Sequence, residues 1–332
     1  MADIAQRFMR DMLTLTGPIE PHLAAQGVDV ERDTEFMALV EPETVRDAYR
    51  LQMAAGTQVL VTATAGITPA RLACQGLEDR LEELAVAALA VAKLATPQHI
   101  LVEVGPCSLP LDPSSAASMK EHRDQYARVA RVFEVLGVPD AHTHATAFDG
   151  YLLRGFSRTA ALKAAIAGVR KVSDKPVFAC VQVDERGMLG PHAGEMVEEA
   201  AVSAVEFGAD VVGFSTTADA QTAAGFARRI RAVTDAPLAA ELLVEAPRSA
   251  LSRGLASKTA GQATNPYETP EAMLAAAAAL RHHHKAVFIP LRGLDVNLRG
   301  EVALGVDLVV HIERGVLAIA QILLGVAVEH AL

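Results

Sequence analysis

Residues 59–84 read VLVTATAGITPARLACQGLEDRLEEL. Val59, Leu60 and Val61 open an apolar, β-branched run that fits a strand over Gln58 to Thr64. Gly66 and Pro69 then break the chain into a loop. From Leu77 the Leu and Ala residues recur at helical spacing as far as Leu94, so the unit is strand, loop, helix.

The same unit recurs on both sides. Candidate strands are Leu13 to Thr16, Gln58 to Thr64, Ile100 to Val104, Tyr151 to Arg154, Val177 to Val183, Val211 to Ser215, Leu238 to Val244 and Ala286 to Leu291. Several are nearly unbroken apolar runs, as strands buried on both faces require. Helical segments lie between them: Pro42 to Ala55, Leu77 to Leu94, Tyr126 to Leu136, Ala160 to Val172, Glu195 to Phe207 and Gln221 to Val233. A further helix opens at Thr269-Pro270-Glu271 and runs to Arg281, and Ala318 to Glu329 ends the chain. Eight strand–helix units in order predict an α/β fold, a single (β/α)8 TIM barrel over residues 1–332, with its pocket at the carboxyl ends of the strands. Two irregular stretches fall at opposite ends: Pro247 to Glu268 after strand seven, on the pocket side, and Pro139 to Gly150 before strand four, on the far side.

Composition narrows the function. The chain has 332 residues, 51 % of them hydrophobic, and a net charge of −10. Nucleic-acid binding needs clustered Lys and Arg, and no basic stripe is present. The N-terminus has no apolar signal core, and the apolar runs are broken by charges, so neither a membrane span nor export is expected. Three cysteines, Cys74, Cys107 and Cys180, make no disulfide framework and fit a reducing cytoplasm. No Gly-rich dinucleotide fingerprint or phosphate loop follows an early strand.

The stretch Val59 to Leu84 resembles the second strand, loop and helix of the homocysteine S-methyltransferase family, in which a Glu-Thr-Asn-Thr-Phe-Gly stretch is followed by Arg-Leu and Gly-Leu-Glu-Asp. Gly105-Pro106, Leu162 to Ile166, Asp210 to Ser215 and Tyr267 to Met273 continue the likeness in order, over about Pro42 to Leu280. The resemblance implies methyl transfer to or from a small thiol or carboxylate-bearing substrate, a place in methionine biosynthesis, and a corrinoid protein or another methyl donor as partner. It also implies a zinc ion held by three cysteines, one after strand six and two after strand eight. Here those segments read Gly213-Phe214-Ser215-Thr216 and Ile289-Pro290-Leu291-Arg292-Gly293, without a thiol. The family's Glu and Asn at strand two correspond to Val61 and Ala63, and its glutamate after strand four to Arg154. Its early Asp-Gly turn is absent, Leu15-Thr16-Gly17-Pro18 being the nearest segment. The sequence therefore does not support zinc, and no metal ligand is assigned.

Polar residues at the strand ends are the substrate-binding candidates: Thr62, Thr64, Glu103, Cys107, Arg154, Asp184, Ser215, Thr216, Glu241 and Arg292, with Gln182, Glu185 and Glu245 beside them. Charge facing into a barrel is costly unless paired or used. Arg154 could pair with Glu103 or Glu241, or hold a ligand carboxylate bidentately. Cys180, inside strand five, reads as a core thiol, and Cys74 as structural. His142 and His144 have metal-pair spacing but precede strand four, on the wrong face. His282, His283 and His284 fit a solvated helix end. The rival to an enzyme is a catalytically degenerate barrel that serves as a binding or assembly partner, for instance in a corrinoid methyl-transfer system.

Overall fold

The computed structural model describes residues 3–30, 32–137, 147–190 and 194–243, and the backbone of 286–288. Eight parallel strands close into a barrel. They are β1 (Leu13–Leu15), β2 (Val59–Val61), β3 (His99–Val104), β4 (Gly150–Phe156), β5 (Val177–Gln182), β6 (Val211–Thr216), β7 (Leu238–Leu242) and β8 (Ala286–Phe288). β8 closes the ring by pairing with β7 and β1, and β1 meets β2 through Leu15 and Val59. All eight expected strands are present. β2 stops short of Thr64 because side chains take over its bonding to β3: the Glu103 N–H donates to Thr62 Oγ1 at 3.1 Å, and Thr64 Oγ1 donates to the Glu103 carbonyl at 2.7 Å.

Ten helices are described: α1 (Ile4–Arg7), α2 (Glu20–Ala25), α3 (Thr34–Val40), α4 (Pro42–Ala54), α5 (Pro69–Cys74), α6 (Leu81–Leu94), α7 (Ala116–Leu136), α8 (Thr159–Arg170), α9 (Val197–Glu206) and α10 (Ala220–Arg231). The expected helices within the described residues form, and α7 begins ten residues before its expected start at Tyr126. Its early turns are polar, and His122 is the only buried residue there, so apolar periodicity could not reveal them. Ser115 starts the helix by accepting from the Ser118 N–H at 3.3 Å. α1, α2, α3 and α5 span at most two turns, too short to show a period. The expected helices beyond Thr269, the loop from Pro247 to Glu268, and His142, His144 and His282 to His284 lie outside the described residues. Among the described residues no helix is long and apolar enough to cross a membrane.

Strand alternation divides the core in two. Leu13, Leu15, Val59, Val61, Leu101, Leu152, Phe178, Cys180, Val211 and Ala239 fill the barrel. Their neighbours, among them Leu60, Val102, Leu153, Val181, Val212 and Ala240, pack outward under the helices. At the amino-terminal end α1 closes the barrel, with Phe8 edge-on to Phe178 at 5.4 Å between ring centres. Position 213 shares the inward face of Val211, and glycine fits there because a Cβ would crowd the Ala239 carbonyl and lie 2.9 Å from Cys180 Sγ. Gly213→Ala is therefore expected to cost about 1–3 kcal/mol by overpacking, read as a lower urea midpoint at unchanged slope.

Candidate functional site

The alternation that fills the barrel with apolar side chains also aims charge at its mouth. Two residues beyond Leu101 is Glu103, beyond Leu152 is Arg154, and beyond Ala239 is Glu241. All three are buried, at 6 %, 9 % and 2 % exposure. Arg154 donates from Nε to Glu103 Oε1 and from Nη2 to Glu103 Oε2, both at 2.7 Å, and from Nη1 to Glu241 Oε1 at 2.9 Å. One guanidinium thus links β3, β4 and β7 across the barrel, with the planar fork that suits a carboxylate. Burial alone would lower Arg154, but Glu103 and Glu241 outweigh it and hold the group above its ordinary value. Burial pushes Glu103 up to about 7 against the pull of Arg154, and Glu20 and Glu241 add to the rise.

Glu20 was not legible as a site residue. It opens α2, five residues beyond the end of β1, and its charge bears on Glu103, Arg154 and Tyr49. The sequence signal was an acid at a helix start beside Pro21, just past a strand end. Glu35 of α3 is a second such residue. Burial pushes it above the usual carboxylate range, against the Gly66 N–H and the charge of Arg71. Both acids reach the mouth on the short helices between β1 and α4.

The remaining candidates divide. Ser215 is buried and continues the inward set of β6, paired in register with Glu241. Thr62 and Thr64 are buried and spent on β3: their hydroxyls share a 2.6 Å hydrogen bond and hold the Glu103 backbone. Thr216 falls on the outward parity and accepts from the Ala218 N–H at 3.1 Å, so it caps the turn after β6. Asp184 is exposed; its Oδ1 accepts from the Arg186 and Met188 N–H groups, both at 2.9 Å, and shapes a turn. Gln182 and Glu185 are also exposed. Cys107 is buried three residues past the end of β3, its N–H donating to the Tyr126 hydroxyl at 3.0 Å. Arg292 and Glu245 lie outside the described residues.

A zinc site of the kind the resemblance implies needs thiolates converging at close range. Cys74 is exposed on α5, and Cys107 and Cys180 are buried. Cys180 lies one layer below Glu241, and burial together with that carboxylate pushes its thiol far above the ordinary range, which disfavours a thiolate ligand. Glu103 and Glu241 are engaged by Arg154. Among the described residues no three His, Cys, Asp or Glu side chains gather to hold a metal. The donors present do not fit the three-thiolate site.

A model of the homocysteine S-methyltransferase family matches residues 13–289. No curated protein matches the sequence significantly. Among solved structures, the homocysteine methyltransferase MmuM from Escherichia coli is similar in its metallated, oxidized and apo forms. The metallated form is 16 % identical with a TM-score of 0.57, over 86 % of this chain and 93 % of that one. The oxidized form is 14 % identical with a TM-score of 0.61, over 88 % and 96 %. At such identities the likeness shows a shared fold.

The charge network generates two expectations. Arg154→Met leaves two carboxylates buried without a partner and is expected to cost about 3–5 kcal/mol in denaturant unfolding at neutral pH. Adding Glu103→Gln and Glu241→Gln should restore most of that loss; a single variant as stable as wild type contradicts the pairing. Glu103 also ionises later in the folded chain than in the unfolded one. Its contribution to stability is complete below the ordinary carboxyl value of 4.5 and is lost as pH rises to about 7. The melting temperature of wild type relative to Glu103→Gln should fall across that interval and level off above it; a rise would refute the assignment.

Proposed function

The chain belongs to the homocysteine S-methyltransferase family, and from that membership we propose that it transfers a methyl group to or from a small thiol or carboxylate-bearing substrate, without the family's three-cysteine zinc site. The observation that carries the reading is the buried Glu103–Arg154–Glu241 network at the carboxyl ends of the strands, where (β/α)8 enzymes hold their chemistry.

In this reading Glu103 does the work that a metal does by acidifying a thiol. A carboxylate raised to about 7 is basic enough to take a proton from a bound thiol near neutral pH. The thiol proton goes to Glu103, and a sulfur lone pair forms the new bond to the methyl carbon. The bond from methyl to donor breaks as its electron pair leaves with the donor. Arg154 holds the Glu103 carboxyl in one orientation through two hydrogen bonds, and Glu241 fixes the guanidinium from the other side. A small substrate and a methyl donor, free or carried on a corrinoid protein, complete the reaction.

A second reading has its own support. Arg154 is paired with two acids of the same chain through three of its five N–H groups, and such mutual neutralisation is what a degenerate barrel kept for binding or assembly would also have.

Thermal-shift screening with homocysteine, other thiols, methylated amines and a corrinoid, followed by mass detection of methyl transfer, separates the two. Methyl transfer is expected with one acceptor–donor pair, and Glu103→Gln should lower kcat by about 10²–10⁴-fold. Binding without turnover for any pair supports the degenerate barrel. Elemental analysis of the purified protein is expected to find zinc well below one equivalent. Stoichiometric zinc that disappears on substituting Cys107 and Cys180 would overturn the zinc-free mechanism.

A further inference from the structure

Between α6 and α7, on the outside of the barrel, runs a groove of about 390 Å³ that the chemistry at the mouth does not use. Glu78, Asp79 and Glu82 form one wall, at and just before the start of α6. Arg128 and Arg131 of α7 form the other, and Leu81, Val132 and Val135 supply the apolar lining. Val135 is 66 % exposed, the most exposed large hydrophobic side chain among the described residues. The acids have a local reason to be there, since a helix start favours negative charge. Neither Arg128 nor Arg131 is bridged to a described carboxylate, and nothing local accounts for an exposed valine one turn beyond Arg131.

The walls carry opposite charge across an apolar strip, so the groove is complementary to its own copy turned about a two-fold axis. In that arrangement the acidic wall of each copy meets the arginine wall of the other, and the valines meet at the centre. A partner of a single charge sign would match one wall and be repelled by the other. We propose that the α6–α7 groove is the self-association surface of this protein, an isologous contact in which Glu78, Asp79 and Glu82 of one copy face Arg128 and Arg131 of the other around Val135.

The experiment is sedimentation of the full chain over about 1–100 µM, where a modest isologous contact should populate dimer as concentration rises. Two charge-reversed proteins are compared with wild type: Arg128→Glu with Arg131→Glu, and Glu78→Lys with Glu82→Lys. Each alone is expected to weaken the dimer by at least ~10-fold, and mixing the two should restore a heterodimer because the walls again match. Val135→Ser is the variant that leaves charge and folding least disturbed, and it should weaken the dimer without affecting the monomer's melting. A wild type monomeric throughout, a dimer that both reversals leave intact, or folded reversed proteins that fail to associate when mixed would each overturn the proposal.

Discussion

One guanidinium between two carboxylates sets the terms for the mouth of this barrel. Glu103, Arg154 and Glu241 come from strands 51 and 87 residues apart along the chain, and all three are buried. A buried charge that loses its partner costs far more than a surface pair gains. The register of β3, β4 and β7 must therefore keep the three within hydrogen-bond reach. A one-residue slip in any of them would turn its charged side chain out toward the apolar helix layer. The network is thus a constraint on register as well as a feature of the site.

The layer beneath shows the same economy of space. Cys180, Gly213 and Ala239 share one register, and the absence of a side chain at Gly213 makes room for the Cys180 sulfur. Burial in that apolar layer, with Glu241 above, keeps the thiol protonated. A cysteine here serves packing. The threonines near the mouth are similarly engaged: Thr62 and Thr64 continue the β2–β3 pairing, and Thr216 closes a turn. Among the described residues the mouth is rich in acids, with Glu20 and Glu35 carried on short helices and Glu103 raised by burial.

The strand–helix alternation and the presence of Glu103, Arg154, Ser215 and Glu241 among the polar residues of the strand ends were legible in the sequence, because they follow from local rules. Apolar runs buried on both faces mark strands, helical spacing marks the helices between them, and a period of two assigns each strand residue to a face. The lack of thiols at Ser215–Thr216 and at Ile289–Gly293 was legible too, since it is a matter of residue identity. Only the tertiary structure decided which acids Arg154 pairs with, that Thr62 and Thr64 are spent on β3, and that Asp184 serves a turn. It also brought Glu20 and Glu35 to the mouth on helices too short to show a period. The physical reason is the same in each case. Burial, hydrogen-bond partnership and the resulting shifts in acidity depend on which side chains approach through space, and a one-dimensional pattern reports the face a residue takes but not the neighbour it meets there.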